Sequence, residues 1–329
     1  MSSTLPCPAC VSGTLHTATP KGSTTKLFGL DTYVSPIPKN PRGVILYITD
    51  IFGWELPNAR LLADEYAEEG DFVVYVPNFM PWIPIKESDM KEELLLHGGF
   101  WQSLPYRLWF IQRFVPFLFA ARRSVTVPKI LRFAQSIKSS EYSNLPLFNV
   151  GFCWGGIYSI LLSKSDIGKD MFAASASLHP GTLKLPADVE NMSVPLAIGL
   201  GTEDQAVTKA AAATIESILE KTTQETKGFE FELKWYEGMK HGFAVRGDLQ
   251  KEEVRKGVDD AKKQVCFCVL RPAIMLTISL GSRVVPQVYV GDNVELSSCI
   301  ANTLNITDNN GSDVREWRLV SSFAFRLVI

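Results

Sequence analysis

Leu147-Phe148-Asn149-Val150-Gly151-Phe152-Cys153-Trp154-Gly155-Gly156 is an apolar run that ends in glycines set around a cysteine, and a helix-like stretch from Ile157 to Lys164 follows it. Small residues flanking a nucleophile at a strand-to-helix junction form a nucleophile elbow, here with Cys in the place where Ser is usual. The turn is so sharp that its neighbouring positions have no room for a Cβ, which is what the glycines provide. The junction also sets the thiol at a helix N-terminus, where the dipole favours a thiolate. A cysteine buried for packing alone would occupy the same place, because free Cys is among the most buried residue types. The elbow therefore needs partners before it means catalysis.

Outward from the elbow, short apolar and β-branched runs alternate with helical patterns, the signature of a largely parallel sheet wrapped by helices. Strands are expected at Gly43 to Thr49, Phe72 to Pro77, Leu147 to Phe152, Ala173 to Leu178, Pro195 to Leu200 and Phe229 to Tyr236, with Leu27 to Val34 as an antiparallel edge. Helices fit at Pro57 to Glu69, within a basic and aromatic region around Leu108 to Lys138, and at Gly156 to Lys164, Lys209 to Lys221 and Lys251 to Gln264. The fold class is α/β, with a site at the carboxyl ends of the strands, where open parallel sheets bind ligands.

Two segments break the rhythm. Leu94 to Ser140 carries seven basic residues, no acidic one and many aromatics. It reads as an amphipathic helical cover with a solvated basic face, or as a wall that attracts an anionic substrate. Beyond Val265 the helical pattern gives way to Cys266-Phe267-Cys268, a run broken at Pro272 and a polar tract. The expected organisation is an N-terminal extension over 1–26, a catalytic domain over 27–264 and an atypical tail over 265–329.

Composition narrows the class of function. The chain has 329 residues, 46% of them hydrophobic, enough for a full core, and its net charge of −2 offers no basic surface for nucleic acid. Met1 to Gly13 has neither the basic nor the apolar region of a signal peptide. The apolar run Val265 to Leu280 is interrupted and too short to span a bilayer. Six cysteines without regular spacing do not make a disulfide scaffold. These features lead us to expect a cytoplasmic protein with no membrane or nucleic-acid partner and no cofactor or metal, either a monomer or a homodimer.

A thiol nucleophile needs a base, and the base needs an orienting acceptor. Of the four histidines, His16 lies in the polar N-terminal stretch, His97 beside two glycines and His179 between a strand and Pro180. His241, in Met239-Lys240-His241-Gly242-Phe243, follows the last strand in a Gly-flanked loop. The acid comes from Gly199-Leu200-Gly201-Thr202-Glu203-Asp204, with Asp204 preferred and Glu203 as the alternative. Such a turn also suits ordinary helix capping ahead of Lys209. The order Cys153, Asp204, His241 on successive strand ends is the nucleophile, acid, histidine order of the α/β-hydrolase fold.

With these residues in place the chain resembles the dienelactone hydrolase family, its fungal members in particular. The resemblance rests on Asp50-Ile51-Phe52-Gly53, the Cys153 elbow, Gly201-Thr202-Glu203-Asp204 and His241-Gly242-Phe243, together with the stretch from Cys7-Pro8-Ala9-Cys10 through His16 to Pro20-Lys21-Gly22. It implies an α/β-hydrolase fold, a mostly parallel central sheet flanked by helices, and hydrolysis of a small, anionic ester or lactone by Cys153, His241 and Asp204. It further implies an oxyanion hole at the amides of Ile51 and Trp154, gating of the thiol by Asp50 where the family often has Glu, and a substrate carboxylate bound by Arg246. Phe79, Trp82 and Trp101 are further candidates for lining the pocket. Two other readings stand beside this one: a hydrolase-fold protein that binds a small ligand without turnover, and a redox or zinc module built on Cys7 and Cys10, which lacks a second ligand pair.

Overall fold

The computed structural model describes residues 13–80, 112 and 119–279, with side chains as far as Cys266. The chain divides into two compact units, Met1–Leu270 and Arg271–Ile329. Of the second, residues 271–279 are described, as the end of a helix.

The first unit is built on an eight-stranded sheet. Its strands are β1 (Ser23–Leu27), β2 (Leu30–Val34), β3 (Gly43–Ile48), β4 (Phe72–Pro77), β5 (Leu147–Phe152), β6 (Ala174–Leu178), β7 (Leu196–Gly201) and β8 (Phe231–Tyr236), in the spatial order β1-β2-β4-β3-β5-β6-β7-β8. The β1/β2 and β2/β4 pairs are antiparallel and all others parallel. Every residue of β3 through β7 is buried, as continuous apolar runs such as Val44-Ile45-Leu46-Tyr47-Ile48 require when helices cover both faces of a sheet.

The helices are α1 (Pro57–Gly70), α2 (Arg123–Lys138), α3 (Trp154–Leu161), α4 (Lys209–Glu225), α5 (Phe243–Arg246) and α6 (Glu252–Ser279). A proline opens α1 and the left-handed Asp71 closes it, while Thr208 caps α4 by accepting from the Ala211 amide. In α2 the residues Ile130, Phe133, Ala134 and Ile137 face the core at helical spacing, and Arg122 and Arg132 face solvent. This part of the basic region is thus an amphipathic cover. The rest of it lies outside the described residues.

Three local expectations change. The edge strand is a hairpin, because Phe28 and Gly29 both adopt positive φ (48° and 86°), the geometry of a two-residue turn matched to strand twist. Helix α3 begins at Trp154 rather than Gly156, since the elbow residue itself makes the whole reversal. Helix α6 runs on to Ser279, past the break expected at Val265 and through Pro272. An interior proline costs one backbone hydrogen bond, and the apolar helix formers on either side carry the helix past it.

Sheet register decides where the chemistry lies. Ile48 pairs with Gly151, Phe152 with Leu178, Leu178 with Gly199 and Gly201 with Tyr236. Asp50, Cys153, His179, Asp204 and His241 therefore all follow the carboxyl ends of β3, β5, β6, β7 and β8, along one edge of the sheet.

Candidate active site

Cys153 has φ 53° and ψ −112°, a conformation few side chains adopt, and it caps α3. The surrounding backbone holds it there. Its amide donates to Leu178 O at 3.2 Å, and its carbonyl accepts from Gly156 at 3.1 Å and Gly181 at 2.9 Å. The glycines answer to close backbone approach: a Cβ on Gly151 would lie 2.1 Å from Gly155 O, and one on Gly155 would lie 2.1 Å from Ile48 O. The Gly155 amide also donates to Thr49 O at 3.1 Å, fastening the elbow to the loop after β3. That contact sets Asp50 and Ile51 beside Cys153 and Trp154, the two loops from which the expected oxyanion donors come.

His241 and Asp204 meet through Nδ1 and Oδ2 at 2.8 Å, both side chains fully buried. Since a carboxylate accepts, Nδ1 carries the proton and Nε2 is left for the thiol. The second Asp204 oxygen accepts from Ala206 N at 2.8 Å, which fixes the carboxylate plane. The neighbouring Glu203 is exposed, so Asp204 is the carboxylate that reaches the histidine. The Glu203 amide donates to Met239 O at 3.0 Å and ties the acid and histidine loops together. Burial works against an imidazolium at His241, but the negative charge of the Cys153 thiolate and the bond to Asp204 outweigh it and push the imidazole above its ordinary range. The charge of the imidazole is thus coupled to that of the Cys153 thiol.

Asp50 and Arg246 form a second buried pair, Oδ2 to Nε at 2.9 Å with side chains 1% exposed. Burial raises the Asp50 carboxyl, the Arg246 cation lowers it and the Cys153 charge raises it again, so the carboxylate and the thiol sense each other. Its other oxygen accepts from Phe52 N at 3.0 Å. The Arg246 guanidinium lies over the Phe52 ring, 4.7 Å from its centroid. Arg246, expected to bind a substrate carboxylate, is paired with Asp50.

His179 was not among the residues chosen from sequence, yet its ring packs edge-on against His241 with centroids 5.3 Å apart, between Phe152 and Phe243. It is fully buried, and neither ring nitrogen has a hydrogen-bond partner among the described residues. Burial, then the neighbouring charges of His241 and Arg246, hold it neutral, far below its ordinary pKa. The one available signal was its place directly after a strand of the same sheet edge. Phe79 is buried in the core. Trp82, Trp101, His97, Cys7 and Cys10 lie outside the described residues. Among the described residues no group of three or more His, Cys, Asp or Glu could hold a metal ion, and no helix is long and apolar enough to cross a membrane.

Comparison with known proteins places this geometry. Residues 116–267, which contain Cys153, Asp204 and His241, match the model of the dienelactone hydrolase family. The hydrolase tropI of Talaromyces stipitatus is 28% identical over 260 residues, covering 77% of this chain and 91% of its own. A carboxymethylenebutenolidase homolog of Mus musculus is 25% identical over 247 residues, covering 73% and 86%. A crystal structure of a putative dienelactone hydrolase from Klebsiella pneumoniae shares the fold, with a TM-score of 0.54 at 15% identity over 74% of this chain and 92% of that one. The mostly parallel sheet and the likeness to that solved structure show an α/β-hydrolase fold, and the part of the chain that carries the elbow matches the dienelactone hydrolase family.

Proposed function

We propose that the protein hydrolyses small esters or lactones, in the manner of a carboxymethylenebutenolidase, with Cys153 as nucleophile, His241 as base and Asp204 as its orienter. The observation that carries this reading is the buried 2.8 Å contact between His241 Nδ1 and Asp204, made by the histidine whose charge state is coupled to the elbow thiol. The Cys153 thiolate attacks the acyl carbonyl while the amides of Ile51 and Trp154 receive the oxyanion. His241 then gives its proton to the departing oxygen, leaving a thioester. Deprotonated again, it takes a proton from water, which attacks the thioester and releases the acid and the thiol. A thiolate leaves as readily as it attacks, so the site suits esters whose own leaving group is good, such as enol lactones. An anionic substrate competes with Asp50 for Arg246.

Turnover of p-nitrophenyl acetate and of enol lactones tests the assignment. Cys153→Ala should lower kcat/KM by about 10³-fold or more with the fold retained. Undiminished hydrolysis by that variant would remove Cys153 from the chemistry. A wild-type protein that binds such molecules without consuming them would instead be a ligand-binding relative.

A further inference from the structure

Helix α5 has four residues, begins two positions after His241 and ends on Arg246. So short a helix has no stability of its own, and its last carbonyls need partners from outside. Three consecutive ones find them far away in sequence. Val245 O accepts from Asn58 Nδ2 at 2.8 Å, Arg246 O from the Thr14 amide at 2.9 Å and Gly247 O from His16 Nε2 at 3.1 Å. Asn58, near the start of α1 and 1% exposed, also donates to Thr14 O at 2.8 Å and accepts from the His16 amide at 3.0 Å. Gly13 lies so close to Arg246 that a Cβ there would be 2.5 Å from the arginine Cβ.

We infer that Asn58 and the strap Gly13 to His16 are positioning elements of the active site, which cap α5 and thereby hold Arg246 on Asp50 and His241 in its loop. The acceptors are the backbone carbonyls of Arg246 and of its two neighbours in sequence, so a loosened cap frees that arginine before it disturbs the sheet. The inference rests on the reading of Cys153 as nucleophile. Its consequence is carried by charge. An Asp50 carboxylate no longer neutralised by Arg246 would disfavour the thiolate beside it. Among the described residues, the other titratable groups that face Cys153, Asp50 or Arg246 are His241 after β8, Asp204 after β7, His179 after β6 and Tyr47 in β3.

The experiment is the pH profile of Cys153 alkylation by iodoacetamide, read by mass spectrometry, with kcat and KM for p-nitrophenyl acetate measured in parallel. Asn58→Ala and His16→Ala should move the alkylation midpoint upward, by about one pH unit for Asn58→Ala. They should lower kcat roughly tenfold to a hundredfold with a far smaller change in KM. His16→Gln, which keeps a donor for Gly247 O, should restore most of both. If Asn58→Ala does not fold, the His16 pair decides alone. Folded variants with wild-type midpoints and wild-type kcat overturn the inference, because a cap of purely structural value would lower only the melting temperature. A wild-type Cys153 without pH-dependent alkylation would remove the nucleophile and this inference with it, and is distinguishable because it appears before any variant is made.

Discussion

Asp50 sits within electrostatic reach of Cys153 and is paired with Arg246, so its charge has a definite sign of effect on the thiol. A carboxylate raises a neighbouring thiol's pKa, and the arginine partly cancels it. Replacing Asp50 by Asn removes the negative charge and leaves the cation, so the alkylation midpoint of Cys153 should fall by about one pH unit. A midpoint that stays or rises would show that Asp50 does not control the thiol. Asp204→Asn acts in the other direction. It withdraws an acceptor that supports the imidazolium, so the His241 pKa, followed by NMR, should drop toward the ordinary histidine range. His179 offers a test through stability. Its folded pKa is depressed while that of the unfolded chain is about 6.5. The contribution is therefore present above about pH 6.5 and is lost as pH falls, because the unfolded state takes up a proton that the folded state refuses. The melting temperature of His179→Phe should gain on wild type steadily from about pH 6.5 to pH 5, and a pH-independent difference would mean that His179 is protonated in the fold. His241, with its raised pKa, has the opposite dependence and is common to both proteins.

At the scale of elements, close approach of backbones explains why the glycine positions tolerate no side chain. A Cβ on Gly201 would lie 2.1 Å from Met239 O, where the loop bearing Asp204 crosses the loop bearing His241. Neither partner is the flexible end of a side chain, so the loops must part. Gly201→Ala should cost about 1–3 kcal/mol in denaturant unfolding and lower kcat more than the stability loss accounts for, because the 2.8 Å contact between Asp204 and His241 spans those loops. A variant stable and fully active would show that the two loops move independently. Much of this region was legible beforehand, for a physical reason. The Cys153 elbow and Gly242 are shaped by local geometry, with positive φ at Cys153 and Gly242, and local geometry leaves its mark in adjacent residues. What was illegible is what depends on distant partners. Nothing near Asn58 announces that it caps a helix some 190 residues away, and nothing near Arg246 distinguishes a partner for Asp50 from a partner for substrate. The run of α6 beyond the expected end at Gln264 and through Pro272 is illegible in the sequence because the apolar residues after Val265 carry no polar alternation to mark helical period, and the proline costs one hydrogen bond without ending the helix.

For the whole molecule, the question is where the folded unit ends. The compact unit reaches Leu270, and the packing at its edge is specific. Val265 is fully buried and belongs to the main core, and Lys262 reaches from α6 to Glu65 and Glu69 of α1 at 3.1 and 2.7 Å. The Cys266 sulfur lies beside Gly70 at the end of α1, and burial pushes its thiol up to about 12. It is thus a packing thiol. A chain shortened to residues 1–264 removes Val265 and Cys266 from this seam, whereas one shortened to 1–279 keeps both. The loss of a buried valine alone amounts to about 1.5–3 kcal/mol, which for a domain of this size lowers the melting temperature by several degrees, at about 2–4 °C per kcal/mol. We expect the 1–279 chain to match the 329-residue chain in melting temperature and in ester turnover, and the 1–264 chain to melt several degrees lower while keeping its alkylation midpoint. The midpoint is the discriminating reading. The groups that set the thiol lie at the strand ends, whereas α6 meets this part of the sheet through Gln264, whose Oε1 accepts from Tyr236 Oη at 2.9 Å and which the 1–264 chain keeps, so a shift in that chain would mean that α6 supports the site as well as the core.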